Sequence, residues 1–265
     1  MWVKICGIRD VRTAMVAVSA GADAVGLNLV RQSPRFVSPE VARAIAERLE
    51  DLQDLRATVG GDRIEDMSGA DVRRSADRHE AVRVAARGRT TPVLLVVNEP
   101  LKSLRALLSE IPVCWVQLHG DESPRYVAEV RALVEEVRGR PATVIKAVRP
   151  EGAAGWRTAA EFAEASGSER PDALLLDAAV PGRYGGTGRR LDWDRVAANY
   201  RRDRWPPLIL AGGLTPENVR DAISIVRPFG VDTASGVEWT PGRKDPDRLR
   251  WFVETAKRVS GPPSC

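Results

Sequence analysis

Two side chains, separated by most of the chain, have the types that acid–base chemistry needs. Cys6 lies beside a glycine near the end of the apolar stretch Val3–Ile8, and Asp177 follows the stretch Ala173–Leu176. A thiolate is a competent base only if its pKa falls from the free value near ~8.5, which nearby cations or helix dipoles can achieve. A carboxyl works as an acid only while it holds its proton, which burial favours. Each residue also has a plainer reading. A lone cysteine is more often a small buried hydrophobe, and an aspartate at a strand end often caps the following loop.

Other polar groups occupy equivalent positions. Arg35 sits in the loop Gln32-Ser33-Pro34-Arg35, and Asn98, His119 and Asp232 fall at or beside the ends of further apolar stretches. The planar donor fork of Arg35 suits a carboxylate on a substrate, although a loop arginine is by default solvated. A strand-end imidazole such as His119 is as often a structural hydrogen bonder as a site residue. Gly212-Gly213 and Ser235-Gly236 follow the last two stretches. Backbone N–H groups in such loops cradle phosphate in many barrel enzymes, and glycine lets the anion approach closely. Taken singly, each pair is only a tight turn. Lys4 and Lys146 alternate onto strand faces that could line a barrel interior, with a salt-bridged structural role as the simpler reading.

The elements that must position these residues alternate along the chain. Strands are expected at Val3–Ile8, Ala24–Leu29, Pro92–Val97, Trp115–Leu118, Thr143–Val148, Ala173–Leu176, Pro207–Leu210 and Gly230–Thr233. Their near-continuous apolar character fits strands buried on both faces. Helices follow each. Ser38-Pro39 and Thr215-Pro216 both look like a cap with proline at the first helical position. The sequence therefore predicts a single α/β domain over residues 1–265, a (β/α)₈ barrel, and places every candidate residue at its catalytic mouth. No Gly-x-Gly-x-x-Gly turn follows the first strand, which weighs against a dinucleotide-binding sheet. Residues 51–89 break the rhythm between the second helix and the third strand. They are charged and carry no Trp, Phe or Tyr, and only a thin apolar stripe, Val72, Ala76, Val82 and Ala86, suggests a helix over 71–87. The segment reads as a surface insertion within the barrel, with a subunit or partner contact as the alternative.

Composition narrows the class. The chain is 43% hydrophobic and 29% charged, with 40 basic against 36 acidic residues, an ordinary globular balance. No basic block with interleaved aromatics favours nucleic acid, and no apolar run is long enough to span a bilayer. The spacing of Cys6, Cys114 and Cys265 fits neither a disulfide framework nor a zinc site. The expectation is a cytoplasmic enzyme acting on a small anionic molecule, with no metal among its site residues.

Several segments together resemble the phosphoribosylanthranilate isomerase family of tryptophan biosynthesis. They are Lys4-Ile5-Cys6-Gly7-Ile8, Gly21-Ala22-Asp23-Ala24-Val25-Gly26, Ser33-Pro34-Arg35-Phe36-Val37, Gln117-Leu118-His119-Gly120-Asp121, Leu176-Asp177 with Tyr184-Gly185-Gly186-Thr187-Gly188, Ala211-Gly212-Gly213-Leu214, and Asp232-Thr233-Ala234-Ser235-Gly236-Val237-Glu238. The resemblance implies an Amadori rearrangement of N-(5′-phosphoribosyl)anthranilate to 1-(o-carboxyphenylamino)-1-deoxyribulose 5-phosphate, without metal or organic cofactor. It implies Asp177 as general acid and Cys6 as general base. Arg35 would hold the anthranilate carboxylate, Asp232 would bind near the substrate amine, and His119 is grouped with these substrate-binding residues. Gly212, Gly213, Ser235 and Gly236 would hold the phosphate. A monomer or homodimer is expected, with neither nucleic acid nor membrane as partner. Competing readings are a related aminoaldose isomerase and a non-catalytic scaffold acting through residues 51–89.

Overall fold

The computed structural model describes residues 1–59, 89–178 and 190–259. Eight parallel strands close into a barrel in sequential order: β1 (Trp2–Cys6), β2 (Ala24–Asn28), β3 (Thr91–Val96), β4 (Trp115–Leu118), β5 (Thr143–Val148), β6 (Ala173–Leu176), β7 (Leu208–Leu210) and β8 (Gly230–Thr233). β8 pairs back onto β1, Lys4 opposite Asp232. Around them run eight α-helices among the described residues: α1 (Val11–Ala20), α2 (Pro39–Val59), α3 (Leu101–Glu110), α4 (Pro124–Arg138), α5 (Gly152–Glu164), α6 (Trp193–Asn199), α7 (Val219–Val226) and α8 (Pro246–Arg258). The expected (β/α)₈ architecture is what the chain forms.

Local chemistry explains the helix ends. Asp10 caps α1 by accepting the Thr13 N–H, and Gly21 closes the helix in the left-handed conformation. Ser123 with Pro124, and Asp245 with Pro246, open α4 and α8 in the same manner. Ser38 caps α2 ahead of Pro39 as expected, accepting the Val41 N–H. α2 then continues to Val59, so the first part of the expected insertion extends that helix. The expected helix over 71–87, its apolar stripe and the motif Tyr184-Gly185-Gly186-Thr187-Gly188 lie outside the described residues, as does Cys265.

Thr215-Pro216 does not open α7. Asn218 intervenes: its Oδ1 accepts the Thr215 N–H and its Nδ2 donates to Gly213 O. The chain makes a turn there, and α7 begins only at Val219. Past β8, a one-turn 3₁₀ helix over Ser235–Val237 leads into a hairpin that the sequence did not suggest, β9 (Glu238–Thr240) with β10 (Arg243–Lys244).

Two apolar layers hold the barrel. The outer one lies between strands and helices and includes Val3, Ile5, Val116, Leu118, Val144, Val148, Phe162 and Val231. The inner one fills the barrel floor with Trp2, Ala24, Val93, Trp115, Ile145, Ala173, Leu175, Ile209 and Phe229. Trp2 and Trp115 stack across that floor with centroids 6.1 Å apart. Residues two apart on a strand share a face. The parity set by Trp2, Trp115, Leu175 and Ile209 therefore turns Lys4, Cys6, Gln117, His119, Asp177 and Ala211 inward as well. Val231, on the outer face, does the same for Asp232.

Candidate active site

Each candidate is fixed by the ladder next to it. Gly7 and Ile8 donate backbone N–H groups to Gly26 O, His119 N–H to Val96 O, Asp177 N–H to Val148 O and Ala211 N–H to Leu176 O. The strand ends around the mouth are thus continuations of the sheet, and side chains there project from rigid backbone. Cys6, Arg35, His119, Asp177 and Asp232 are all buried.

On the β1–β2–β8 side, charge surrounds the thiol. Lys4 Nζ donates to Asp232 Oδ1 at 2.9 Å. Arg35 donates from Nε and Nη2 to the two oxygens of Glu238 at 2.9 and 2.8 Å, and Lys244 Nζ donates to Glu238 Oε1 at 2.8 Å and Ala234 O at 2.8 Å. Gly7 makes room for Arg35: at φ +76, any Cβ there would lie 2.7 Å from Arg35 Cδ. The condition that nearby cations bring the Cys6 thiol below its free pKa is not met by Lys4 and Lys244. Burial is the largest influence and raises its pKa above the ordinary 9.0; Lys4 and Lys244 pull down without overcoming it. Burial would raise Glu238 too, but Arg35 and Lys244 bring it below its ordinary 4.5.

The opposite side, β3–β6, is built differently. Asp177 accepts the Ala178 N–H on Oδ1, and its Oδ2 lies 3.3 Å from His119 Nε2. The amide nitrogen of Gln117 is 2.7 Å from His119 Nδ1. His119 thus spans Gln117 and Asp177 through its two ring nitrogens. Arg149 grips the backbone carbonyl of His119 from outside at 2.6 Å. Lys146 corrects one expectation. Its neighbours Ile145 and Ala147 belong to the inner cluster, so Lys146 faces the helices, with Nζ 5.4 Å from the centre of the Phe162 ring. There it donates to Glu122 Oε2 and Gly120 O, both at 2.7 Å. Glu122 also accepts the N–H groups of Asn98 and Gly120, and Asn98 Oδ1 accepts the Asp121 N–H. Both lysines are salt-bridged, as expected, and Asn98 proves to be a brace of the β3 and β4 loops.

The loops after β7 and β8 meet. Gly212 and Gly213 have φ of +78 and +68, and a Cβ on Gly212 would lie 2.6 Å from Ala178 N. Thr233 Oγ1 donates to Leu214 O at 2.7 Å. Gly236 packs so closely on that same carbonyl that an added Cβ would sit 1.9 Å from the oxygen. From outside, Arg248 of α8 bonds Gly236 O and Glu217, tying the two loops together. Ser235 opens the 3₁₀ turn beside them.

Glu238, Lys244, Glu122 and Gln117 received no role from sequence. Glu238 falls at the end of a strand-eight motif, which was its one visible signal. Gln117 meets His119 two residues along the same strand end, Lys244 meets Glu238 within one hairpin, and Glu122 meets Asn98 and Lys146 from neighbouring strands.

A closed eight-stranded barrel with a buried thiol, a buried carboxylate and two interlocked glycine loops at the carboxyl ends of its strands is the architecture of a (β/α)₈-barrel enzyme. Residues 46–255 match the family model for N-(5′-phosphoribosyl)anthranilate (PRA) isomerase. The N-(5′-phosphoribosyl)anthranilate isomerase of Citrifermentans bemidjiense is 34% identical over 258 residues, covering 97% of this chain and 98% of that one. That of Acidithiobacillus ferrooxidans is 37% identical over 252 residues, covering 95% of each. Among solved structures, phosphoribosyl anthranilate isomerase from Thermotoga maritima superposes with a TM-score of 0.68 at 32% identity, covering 97% and 99% of the two chains. Another such isomerase, in complex with reduced 1-(o-carboxyphenylamino)-1-deoxyribulose 5-phosphate, gives 0.66 at 31% identity over the same shares. The chain belongs to the N-(5′-phosphoribosyl)anthranilate isomerase family.

Proposed function

We propose that this chain rearranges N-(5′-phosphoribosyl)anthranilate to 1-(o-carboxyphenylamino)-1-deoxyribulose 5-phosphate by general acid–base catalysis, with Asp177 as acid and Cys6 as base. The observation that carries the reading is the shared inward parity of these two side chains on rigid strand ends, joined by Arg35 and the interlocked glycine loops. The phosphate would rest on backbone N–H groups of Gly212, Gly213, Ser235 and Gly236. Arg35, whose Nε and Nη2 are bonded to Glu238, would supply the positive charge that meets the anthranilate carboxylate. Asp232 faces the substrate amine.

Chemistry then proceeds between two proton carriers. Asp177 gives a proton to the ribose ring oxygen, the bond from that oxygen to C1′ breaks, and an iminium forms between C1′ and the aryl nitrogen. Cys6, as thiolate, takes the C2′ proton, and the electron pair of the broken C–H bond forms the enolamine. Transfer of a proton from the C2′ hydroxyl to C1′ yields the ketone. One proton is given and one taken, so the reaction is redox neutral and Cys6 forms no covalent adduct. His119 steers the acid through its contact with Asp177.

Turnover of phosphoribosylanthranilate, followed by loss of its fluorescence, tests this. Wild type should be active, and Cys6→Ser and Asp177→Asn should each lose about 10²–10⁴-fold in kcat, the usual worth of a positioned acid or base. Full turnover by both variants would sink the mechanism, and an inactive wild type would sink the function. Deletion of residues 60–88 should leave turnover in place, whereas a scaffold role through that segment predicts intact turnover only by coincidence and loss of the partner.

A further inference from the structure

Lys4 lies on the same face of β1 as Cys6, one layer deeper, and is 0% exposed. A buried ammonium persists only where counter-charge replaces its lost hydration. Asp232 supplies one such group, accepting from Nζ at 2.9 Å. The second neighbour is the thiol. A Cβ built on Gly26 of β2 would lie 2.7 Å from Cys6 Sγ and 3.2 Å from Lys4 Nζ, so both atoms crowd the same bare Cα. A side chain at position 26 would fill the space they share.

We propose that Lys4 is a positioning residue for the base: anchored by Asp232, its ammonium is the buried counter-charge that receives the Cys6 thiolate. The proposal rests on the acid–base reading of Cys6 given above. Electrostatics run the same way. Burial alone would lower the pKa of Lys4, yet the charges and hydrogen bonds of Asp232 and Cys6 carry it above its ordinary 10.5. At Cys6, burial raises the thiol most and Lys4 is the next influence, lowering it; Asp232 raises it and Lys244 lowers it. Among the described residues, the charged groups facing Sγ are thus Lys4 from β1, Asp232 from β8 and Lys244 from β10. When the C2′ proton moves to sulfur, Lys4 keeps its own proton and stays paired with Asp232, so a full buried charge never stands alone.

The test is the thiolate ultraviolet absorbance of Cys6 against pH, taken as the difference from Cys6→Ser in the same background, which removes Cys114, Cys265 and the tyrosines. In Lys4→Met the midpoint should move up by about one pH unit or more, equivalent to about tenfold less thiolate at a given pH. Lys4→Arg should recover most of the shift. Lys146→Met, which breaks a buried ion pair in the outer layer, should leave the midpoint in place. If Lys4→Met does not fold, Lys4→Met/Asp232→Asn removes both charges together and should show a smaller upward shift. An unmoved midpoint in the folded variant overturns the proposal, as does an equal shift in Lys146→Met. Turnover measured in parallel separates the two readings: an inactive wild type with a shifted thiol would sink the isomerase and keep the pairing.

Discussion

The two sides of the barrel mouth solve different electrostatic problems. Around Cys6, three cations (Lys4, Arg35 and Lys244) face two carboxylates, Asp232 and Glu238, all within bonded pairs. Around Asp177 the contacts are a backbone N–H and an imidazole whose other nitrogen is held by an amide. The first side carries one positive charge over when the thiol is neutral, which suits a group that must become an anion. On the second, among the described residues, the carboxylate is bonded by no full cation. Both sides also contain a buried lysine, yet Lys4 faces Cys6 and Asp232 inside the barrel and Lys146 faces Phe162 and the helices. Burial alone does not mark a functional charge; the layer it faces does.

The largest effect that would break this comparison comes from Lys146. Lys146→Met leaves the Glu122 carboxylate buried without its cation, which costs about 3–5 kcal/mol. Urea or guanidinium midpoints should fall accordingly, while the folded fraction retains its kcat because the lysine lies on the outer face. A variant that keeps its stability but loses kcat would place Lys146 in the chemistry and erase the distinction.

A smaller effect sharpens the other side. Arg35→Lys keeps the charge but cannot bridge Glu238 at two oxygens or meet a carboxylate edge-on. Losing one charge-assisted bond of that kind costs about 1.5–3 kcal/mol, so KM should rise about 10–100-fold with kcat changed far less, the pattern of uniform binding lost. An N-phenyl substrate lacking the carboxylate should be turned over equally by Arg35→Lys and wild type. Equal damage to both substrates would mean that Arg35 serves only to hold Glu238.

Much of this was legible in the chain because strand order, strand ends and helix caps are local properties. Four strands, Trp115–Leu118, Thr143–Val148, Ala173–Leu176 and Gly230–Thr233, keep their expected bounds. The inward face of a barrel strand is not local. β5 is apolar on both faces, as parallel strands are, so nothing in Thr143–Val148 distinguishes the face of Lys146 from that of Ile145. The ring of Arg35, Glu238 and Lys244 was hidden for a related reason: it forms across a separation of about two hundred residues, through a hairpin too short to leave a periodic signal. The start of α7 was misplaced because the chain first makes a turn over Thr215–Asn218, in which Asn218 bonds the Thr215 N–H and Gly213 O, and the helix begins only at Val219.

The smallest effect concerns the loops after β7 and β8 proposed to hold phosphate, where both sides of the mouth end. Arg248 joins Glu217, after β7, to Gly236, after β8, and its hydrogen bond is the first reason that the Glu217 pKa falls from 4.5 to about 2. Glu217 is largely solvated, so the pair contributes at most about 0–1 kcal/mol. The sign is fixed by the direction of the shift: the stabilisation is fully present above pH 4.5 and is lost as pH falls through about 2. Melting temperatures of wild type and Arg248→Ala should therefore differ slightly at neutral pH and converge across that acid window. At neutral pH the variant should also show a modest rise in KM, about threefold, with kcat unchanged, because 1 kcal/mol or less of loop ordering is at stake. A variant that matches wild type in KM while losing stability would mean that the tie between the loops is structural alone, and that the glycines hold phosphate without help from α8.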